Sequence, residues 1–333
     1  MAERLGVIIP IHNGEQHLPQ LLRGLSRAVD DHTDVVIVDD GSTDATARIL
    51  DQAEVDFSLD VVRHRQPRGV SAARNTGLRQ TRSTYLTFLD SDDTFDQHHL
   101  RTLRDVLDAT GVDMVRTDHL EVRGKERTVR RVPDSHRGGR VGDPREAICP
   151  AFVRTAVDHP NVWAGAFHRR LLDRGVGWMR EDLRTAEDRV WTWDMFLHAH
   201  TFTISPRIGV HYRRDVGGSL SRVADERQLD FIRALDAIID LLAVDPDGER
   251  FLPKAIQRSC ELLLHHLSNT RLPGPLQRTF QVMAAEHFRS LPAEPRDRVI
   301  AGLLPDRRAR IERVIACLLY TSGAADDSLR VDL

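Results

Sequence analysis

Acidic side chains gather at two places where an apolar run ends, and both could do chemistry. Asp90, Ser91, Asp92 and Asp93 follow residues 85–89 directly. Two carboxylates spaced i, i+2 at the end of a strand reach one hard cation, and oxygen ligands of this kind suit Mg²⁺ or Mn²⁺ held by one or two carboxylates plus substrate phosphates. The same letters also describe an acidic turn in which Ser91, Asp92 or Asp93 caps the next helix. Asp39, Asp40, Gly41, Ser42, Thr43 and Asp44 follow the apolar residues 35–38. This segment reads as a tight turn at Gly41 with Ser42 or Thr43 as a helix cap, or as a place where Asp40 accepts an N–H from a nucleobase. A third motif, Val70 to Gly77, opens a helix with small residues that let backbone and Arg74 approach an anion, although Arg74 could equally pair with Asp90.

Elements that alternate with a regular period must position these groups. Residues 5–9 and 35–38 are continuous apolar runs, the pattern of strands covered on both faces. Between them Leu18, Leu21, Leu22, Leu25 and Val29 recur at helical spacing, which makes one β-α-β unit. A helix over 43–53, a strand over 59–63, a helix over 71–80 and a strand over 85–89 extend the pattern to a doubly wound, mostly parallel sheet. Ligands on such sheets sit at the carboxyl ends of the strands, where Pro10, His12, Asp40 and Asp90 fall. A helix over 98–109, strands at 113–117 and 119–122 and an arginine- and glycine-rich loop or hairpin over 123–145 follow. A helix starts near Ala186 and a sheet segment covers 208–213. From Glu226 onward the pattern is helical, with stripes of Phe231/Ile232, Leu235, Ile239 and Leu242 and of Ile256, Cys260, Leu263, Leu264 and Leu267. The boundary falls near 222–225, giving domains over 1–222 and 226–316.

Composition narrows the function. The chain has 333 residues, 41% hydrophobic and 29% charged, values of an ordinary globular protein. Its 47 basic and 50 acidic residues leave a net charge of −3, so no global positive field exists to capture nucleic acid. Three scattered cysteines support neither a disulfide framework nor a thiolate zinc site. No stretch reaches the roughly 18 apolar residues of a membrane helix, and no leader precedes Leu5, so the expected location is cytoplasmic.

Four segments in order, 7–13 (VIIPIHN), 36–44 (VIVDDGSTD), 69–77 (GVSAARNTG) and 88–93 (FLDSDD), resemble the signatures of family 2 glycosyltransferases. The resemblance covers residues 4–222 and implies an α/β GT-A fold, Rossmann-like, followed here by an all-α domain. It implies an inverting transferase that uses Mn²⁺ or Mg²⁺ and a nucleotide-sugar donor, with a UDP-sugar expected, and a glycan or polymer acceptor such as a teichoic-acid-like or capsular chain. By the same resemblance Pro10, His12 (often Tyr in the family) and Asp40 line the nucleoside pocket and Arg74 orders the site. Asp90 lies near the ribose or metal, and Asp92 ligates the cation. The family takes its base from an acidic pair at a late helix start, which Thr185 to Trp191 matches: Asp188 is the expected base and Glu187 the second candidate. Thr185 and Asp188 also satisfy a capping box, and a carboxylate beside the positive end of a helix stays ionised in either role. His211 is a candidate third metal ligand or phosphate donor, or else an ordinary structural histidine, and Arg213, Arg214 and Ser219 are candidate phosphate contacts.

Two rival readings compete. A sugar-1-phosphate nucleotidyltransferase would want a glycine-rich, lysine-bearing loop after the first strand, and residues 10–15 contain no lysine. An inactive sugar-nucleotide-binding or scaffold protein would not need Asp90, Asp92 and Asp188 together. Trp163 is placed on the acceptor side, as a sugar platform or as core, and Trp191 and Trp193 share that choice. The pairs His98/His99, His198/His200 and His265/His266 read as structural or solvent-facing. Residues 307–319 form a basic amphipathic helix, suited either to peripheral contact with the inner face of an anionic membrane or to packing in the helical domain or a dimer. Residues 317–333 resemble a translated sequencing adapter and are expected to be an artefactual or disordered tail.

Overall fold

The computed structural model describes residues 3–133, 136–214, 225–269 and 272–316. The chain divides into two compact units, Met1–Leu220 and Ser221–Leu333. In the first, strands β1 (Leu5–Ile11), β2 (Thr33–Asp39), β3 (Leu59–Arg63), β4 (Tyr85–Phe88), β5 (Thr94–Phe95), β6 (Met114–Arg123), β7 (Glu126–Arg130), β8 (Gly165–His168) and β9 (Phe202–Arg213) form one sheet. Their order is β3-β2-β1-β4-β8-β6-β9-β5, with β7 paired to β6. Helices α1 (Leu18–Ala28), α2 (Thr46–Asp51), α3 (Val70–Gln80), α4 (His99–Thr110), α5 (Arg170–Asp173) and α6 (Glu187–His198) accompany it.

The first four strands in this order pair in parallel, with Ile11 opposite Asp39 and Ile8 opposite Phe88. Every residue of β1 is buried, which accounts for its unbroken apolar run. Beyond β4 the sheet is mixed rather than continuing the parallel pattern: β8 runs antiparallel to both β4 and β6, while β6 and β9 are parallel. Consequently β1, β2, β4, β6 and β9 all end at one edge of the sheet. The two strands expected over 113–122 are a single strand, β6, whose register against β9 shifts between Thr117 and His119.

Close packing sets where α3 lies. A Cβ added at Gly77 would come within 2.3 Å of Ile8 Cγ2, so only glycine lets this helix press onto β1 and carry Arg74 to the edge. On α1, Leu18, Leu21 and Leu25 bury one stripe against the sheet layer; each such side chain contributes about 2 kcal/mol.

The second unit consists of α7 (Asp230–Val244), α8 (Gly248–Asn269), α9 (Gly274–Ser290), α10 (Ala293–Ala301) and α11 (Pro305–Ala316). The expected stripes are its core, except that Ile238 rather than Ile239 is fully buried on α7 and Leu267 is only half-buried on α8. Polar groups also enter this core. His287 of α9 is 2% exposed and bonds Asp236 of α7 (Nδ1 to Oδ1, 2.6 Å) and Ser259 of α8 (Nε2 to Oγ, 2.9 Å). His266 stacks on Phe231 with ring centroids 3.9 Å apart. On α11, Ile311 and Val314 are buried, so the apolar face proposed for a membrane is spent on packing. Among the described residues no helix is long and apolar enough to cross a membrane. Residues 317–333 and Ser219 lie outside the described residues.

Candidate active site

At the ends of β1 and β2 the two loops are bonded into one body. Asn13, in the left-handed region at φ 50°, donates its N–H to Ser42 Oγ and accepts Thr43 N–H on its side chain. Gly14 N–H donates to Thr46 Oγ1, and Ala45 N–H to the Glu15 carboxylate. Asp39 accepts Ser42 N–H. Ser42 and Thr43 therefore do not cap a helix: α2 starts at Thr46, because those residues are already bonded to the neighbouring loop or turn.

Asp40 is 4% exposed. Its carboxylate accepts from His64 Nδ1 (2.6 Å), Arg68 N–H (2.9 Å) and Gly69 N–H (2.7 Å), holding the loop that leads into α3. His64 bonds Thr76 through its other nitrogen. The carboxylate expected to face a base is thus engaged by its own chain. His12 stands exposed beside it, its Nδ1 bonded to the Asp40 carbonyl, while Pro10 is buried in β1.

Arg74 joins the acidic strand end to the late helix. Its guanidinium is 4% exposed and donates to Asp90 Oδ1 at 2.9 Å and Glu187 Oε1 at 3.3 Å, with its carbon 5.7 Å from the Phe88 ring centroid. Burial pushes its pKa down, yet the charges of Asp90, Glu187 and Asp188 outweigh that and raise it. Burial first, and the Asp188 charge second, push Glu187 up to about 7 against the pull of Arg74. Asp188 is half-buried and is likewise raised, chiefly by burial. The pair opens α6, but not through a capping box: the residue before the helix is Ala186, at φ 61° and without a side-chain cap.

Asn75, one position beyond Arg74, has a function that the sequence motif does not reveal. Its amide exchanges two hydrogen bonds with the Met179 backbone, both at 2.9 Å, and donates to Glu181. The loop leading to α6 is thereby tied to α3. Trp191 anchors the same loop by donating to Gly177 O at 2.8 Å. Trp163, Trp191 and Trp193 are each at most 4% exposed, which makes all three core residues.

On the acidic turn, Asp92 is half-buried and raised by burial and by Asp90. Asp93, read from sequence only as a cap, is 5% exposed and pushed up to about 9 by burial and the Asp90 charge. Its Oδ1 accepts Arg213 N–H, and its Oδ2 is buried without a partner. Arg213 also donates to the Asp92 carbonyl and to Gln20. Burial lowers the His211 pKa against the pull of Asp96, and burial raises that of Tyr212. Asp90 and Asp92 offer oxygen donors of the kind that suit a divalent cation only when substrate phosphates complete its shell. Among the described residues no group of three or more His, Cys, Asp or Glu side chains could hold an ion unaided.

The family model described as glycosyl transferase family 2 matches residues 6–178. The uncharacterized glycosyltransferase EpsJ of Bacillus subtilis (strain 168) is 26% identical over 234 residues, covering 69% of this chain and 66% of EpsJ. The poly(ribitol-phosphate) beta-N-acetylglucosaminyltransferase TarS of Staphylococcus aureus (strain Mu50) is 26% identical over 275 residues, covering 81% of this chain and 45% of TarS. The chain thus spans about half to two thirds of these relatives. The crystal structure of S. aureus TarS 1-349 in complex with UDP-GlcNAc superposes with a TM-score of 0.73 at 20% identity, over 94% of this chain and 87% of that one. A family model that fits the strand ends, the acidic turn and the start of α3 in one continuous match makes this chain a member of glycosyl transferase family 2.

Proposed function

We propose that this glycosyltransferase is metal-dependent and inverting, and that it moves a sugar from a UDP-linked donor to a hydroxyl of a cell-surface polysaccharide or teichoic-acid-like acceptor. The observation that carries the reading is the Arg74 bridge, which fixes the acidic turn and the Glu187–Asp188 pair in one network. In this reading residues 1–222 are the catalytic domain, 226–316 a helical domain, and the enzyme draws its donor from the cytoplasm. Similarity to TarS supports the polymer acceptor.

Asp92, with Asp90 beside it, would hold the cation together with the donor diphosphate. A bound divalent ion supplies Lewis-acid stabilisation of the charge that develops on the leaving group. Asp188 accepts the proton of the acceptor hydroxyl as that oxygen attacks the anomeric carbon opposite the diphosphate. Glu187, held by Arg74, keeps a second charge close and so keeps Asp188 a stronger base than an isolated carboxylate. Asp40 and His64 act on the donor indirectly, by fixing the loop over residues 65–69 at the pocket rim.

Heat protection by UDP-, GDP-, CDP- and dTDP-sugars, with and without Mn²⁺, tests the donor, since a ligand that binds only the native state raises its apparent stability. Mn²⁺-dependent protection by a UDP-sugar, lost in Asp92→Ala and kept in Asp188→Ala, is the expected pattern. Equal protection without the ion would remove the metal from the proposal.

A further inference from the structure

β7 is a strand without a buried face. It pairs only with β6, and all five of its residues are exposed. Apolar burial therefore does not account for its presence, and a bare two-stranded ribbon is marginal in water. Its charge is also out of keeping with the chain. Residues 119–131 carry Arg123, Lys125, Arg127, Arg130 and Arg131 against Glu121 and Glu126, in a protein of net charge −3.

The pairing register sorts these charges. His119 lies opposite Arg130, Glu121 opposite Thr128 and Arg123 opposite Glu126, so both acids share one face with Arg123 and Arg130. Arg130 bonds Glu121 at 2.9 Å, and with Arg214 and Arg123 it holds that carboxyl below its usual range. The opposite face pairs Leu120 with Val129 and Val122 with Arg127, and alternation adds Arg131 just past the strand. No acid lies on it. Arg127 donates only to the carbonyls of Gly124 and Glu126. Among the described residues neither Arg127 nor Arg131 has a carboxylate within 4.0 Å. The ribbon grows from the edge that holds the site: Val122 pairs with Arg213, whose side chain donates to the Asp92 carbonyl.

We propose that the Arg127–Arg131 face of this ribbon docks a polyanionic acceptor, a polymer bearing phosphodiester or carboxylate groups, beside the acidic turn. This deepens the proposed function and rests on it for the identity of the chemistry. Arginine forks suit such groups because the planar guanidinium meets two anionic oxygens at once. Side chains four apart along an extended strand stand about 13 Å apart, so the two arginines can meet separate charges along one extended chain. An anionic membrane is the competing partner, but the ribbon's link through Val122 and Arg213 to the acidic turn favours a partner that also enters the site.

Long-chain polyphosphate serves as the probe, neutral dextran as its control and phosphatidylglycerol vesicles as the membrane arm. The expected result is salt-sensitive polyphosphate binding that Arg127→Glu/Arg131→Glu weakens about tenfold, with Mn²⁺-dependent donor protection unchanged. Arg23→Glu/Arg27→Glu, the same charge change on exposed α1 residues, is expected to leave binding within about twofold. Unchanged binding in the ribbon variant, equal weakening in both variants, or loss of donor protection with the ribbon charges would each overturn the proposal. So would a ribbon variant that loses vesicle binding but keeps polyphosphate. A wild-type protein that no nucleotide sugar protects would instead sink the donor reading, while the polyphosphate arm still reports on the ribbon.

Discussion

Two polar networks in this protein are built from the same kinds of group and end in different places. At the sheet edge Arg74 links Asp90 and Glu187, with a half-buried Asp188 alongside. Inside the helical unit His287 links Asp236 and Ser259, a carboxylate–imidazole–hydroxyl relay in the order a hydrolase would use. The difference is access. Ser259 is 1% exposed and sits within α8, so no substrate carbon can approach its oxygen. Geometry alone would nominate both networks; only the first opens onto a surface where strand ends converge. The second satisfies polar groups that three packed helices would otherwise bury unpaired.

The largest effect expected from breaking this comparison is on the edge. Asp188→Asn removes the proton acceptor but keeps its shape, and transfer should fall by about a thousandfold. Donor protection should persist, and a variant that retains a tenth of wild-type turnover would displace Asp188 as the base. In the helical unit the matching change is His287→Ala. It leaves a cavity and an unpaired Ser259, and should cost about 2–4 kcal/mol in denaturant unfolding followed by circular dichroism, with little change in turnover at low temperature. Loss of turnover in folded protein would contradict a purely structural relay.

A smaller effect concerns pH. A base must be ionised, and burial with a like charge raises both Glu187, to about 7, and Asp188. Turnover should therefore begin to drop on acidification at a higher pH than an ordinary aspartate base would give. Glu187→Gln removes one of the two like charges and leaves Arg74 facing Asp188, which lowers the Asp188 pKa. The acid limb of the kcat profile should move to lower pH, with a turnover change at neutral pH of less than about tenfold. An unmoved limb would show that another group limits the reaction in acid.

The strand ends that frame the site were readable because β1 and β2 are buried on both faces, and such burial leaves an unbroken apolar run. β5 and β8, of two and four residues, had no such mark: their pairing is decided by β9, β4 and β6 far along the chain. The acidic turn and Arg74 could be read as motifs, but who bonds whom could not. Asp40 looked free to meet a base, yet its partners His64, Arg68 and Gly69 lie 24–29 positions away. The helical relay joins side chains from three helices, and no local pattern in α7, α8 or α9 announces it.

The smallest expected effect isolates the hydroxyl of that relay. Ser259 Oγ is the partner of His287 Nε2 at 2.9 Å. Ser259→Ala deletes this partner and leaves Nε2 buried without one, at a cost of about 1 kcal/mol and with little change in packing volume. A nucleophilic serine would behave differently: a fluorophosphonate would label it, and alanine would abolish ester hydrolysis. Neither is expected of an oxygen 1% exposed within α8, whereas Asp188, half-buried at the sheet edge, is reachable. Labelling of Ser259 in the folded protein would show that the helical core opens, and would remove the distinction of access on which the two networks have been told apart.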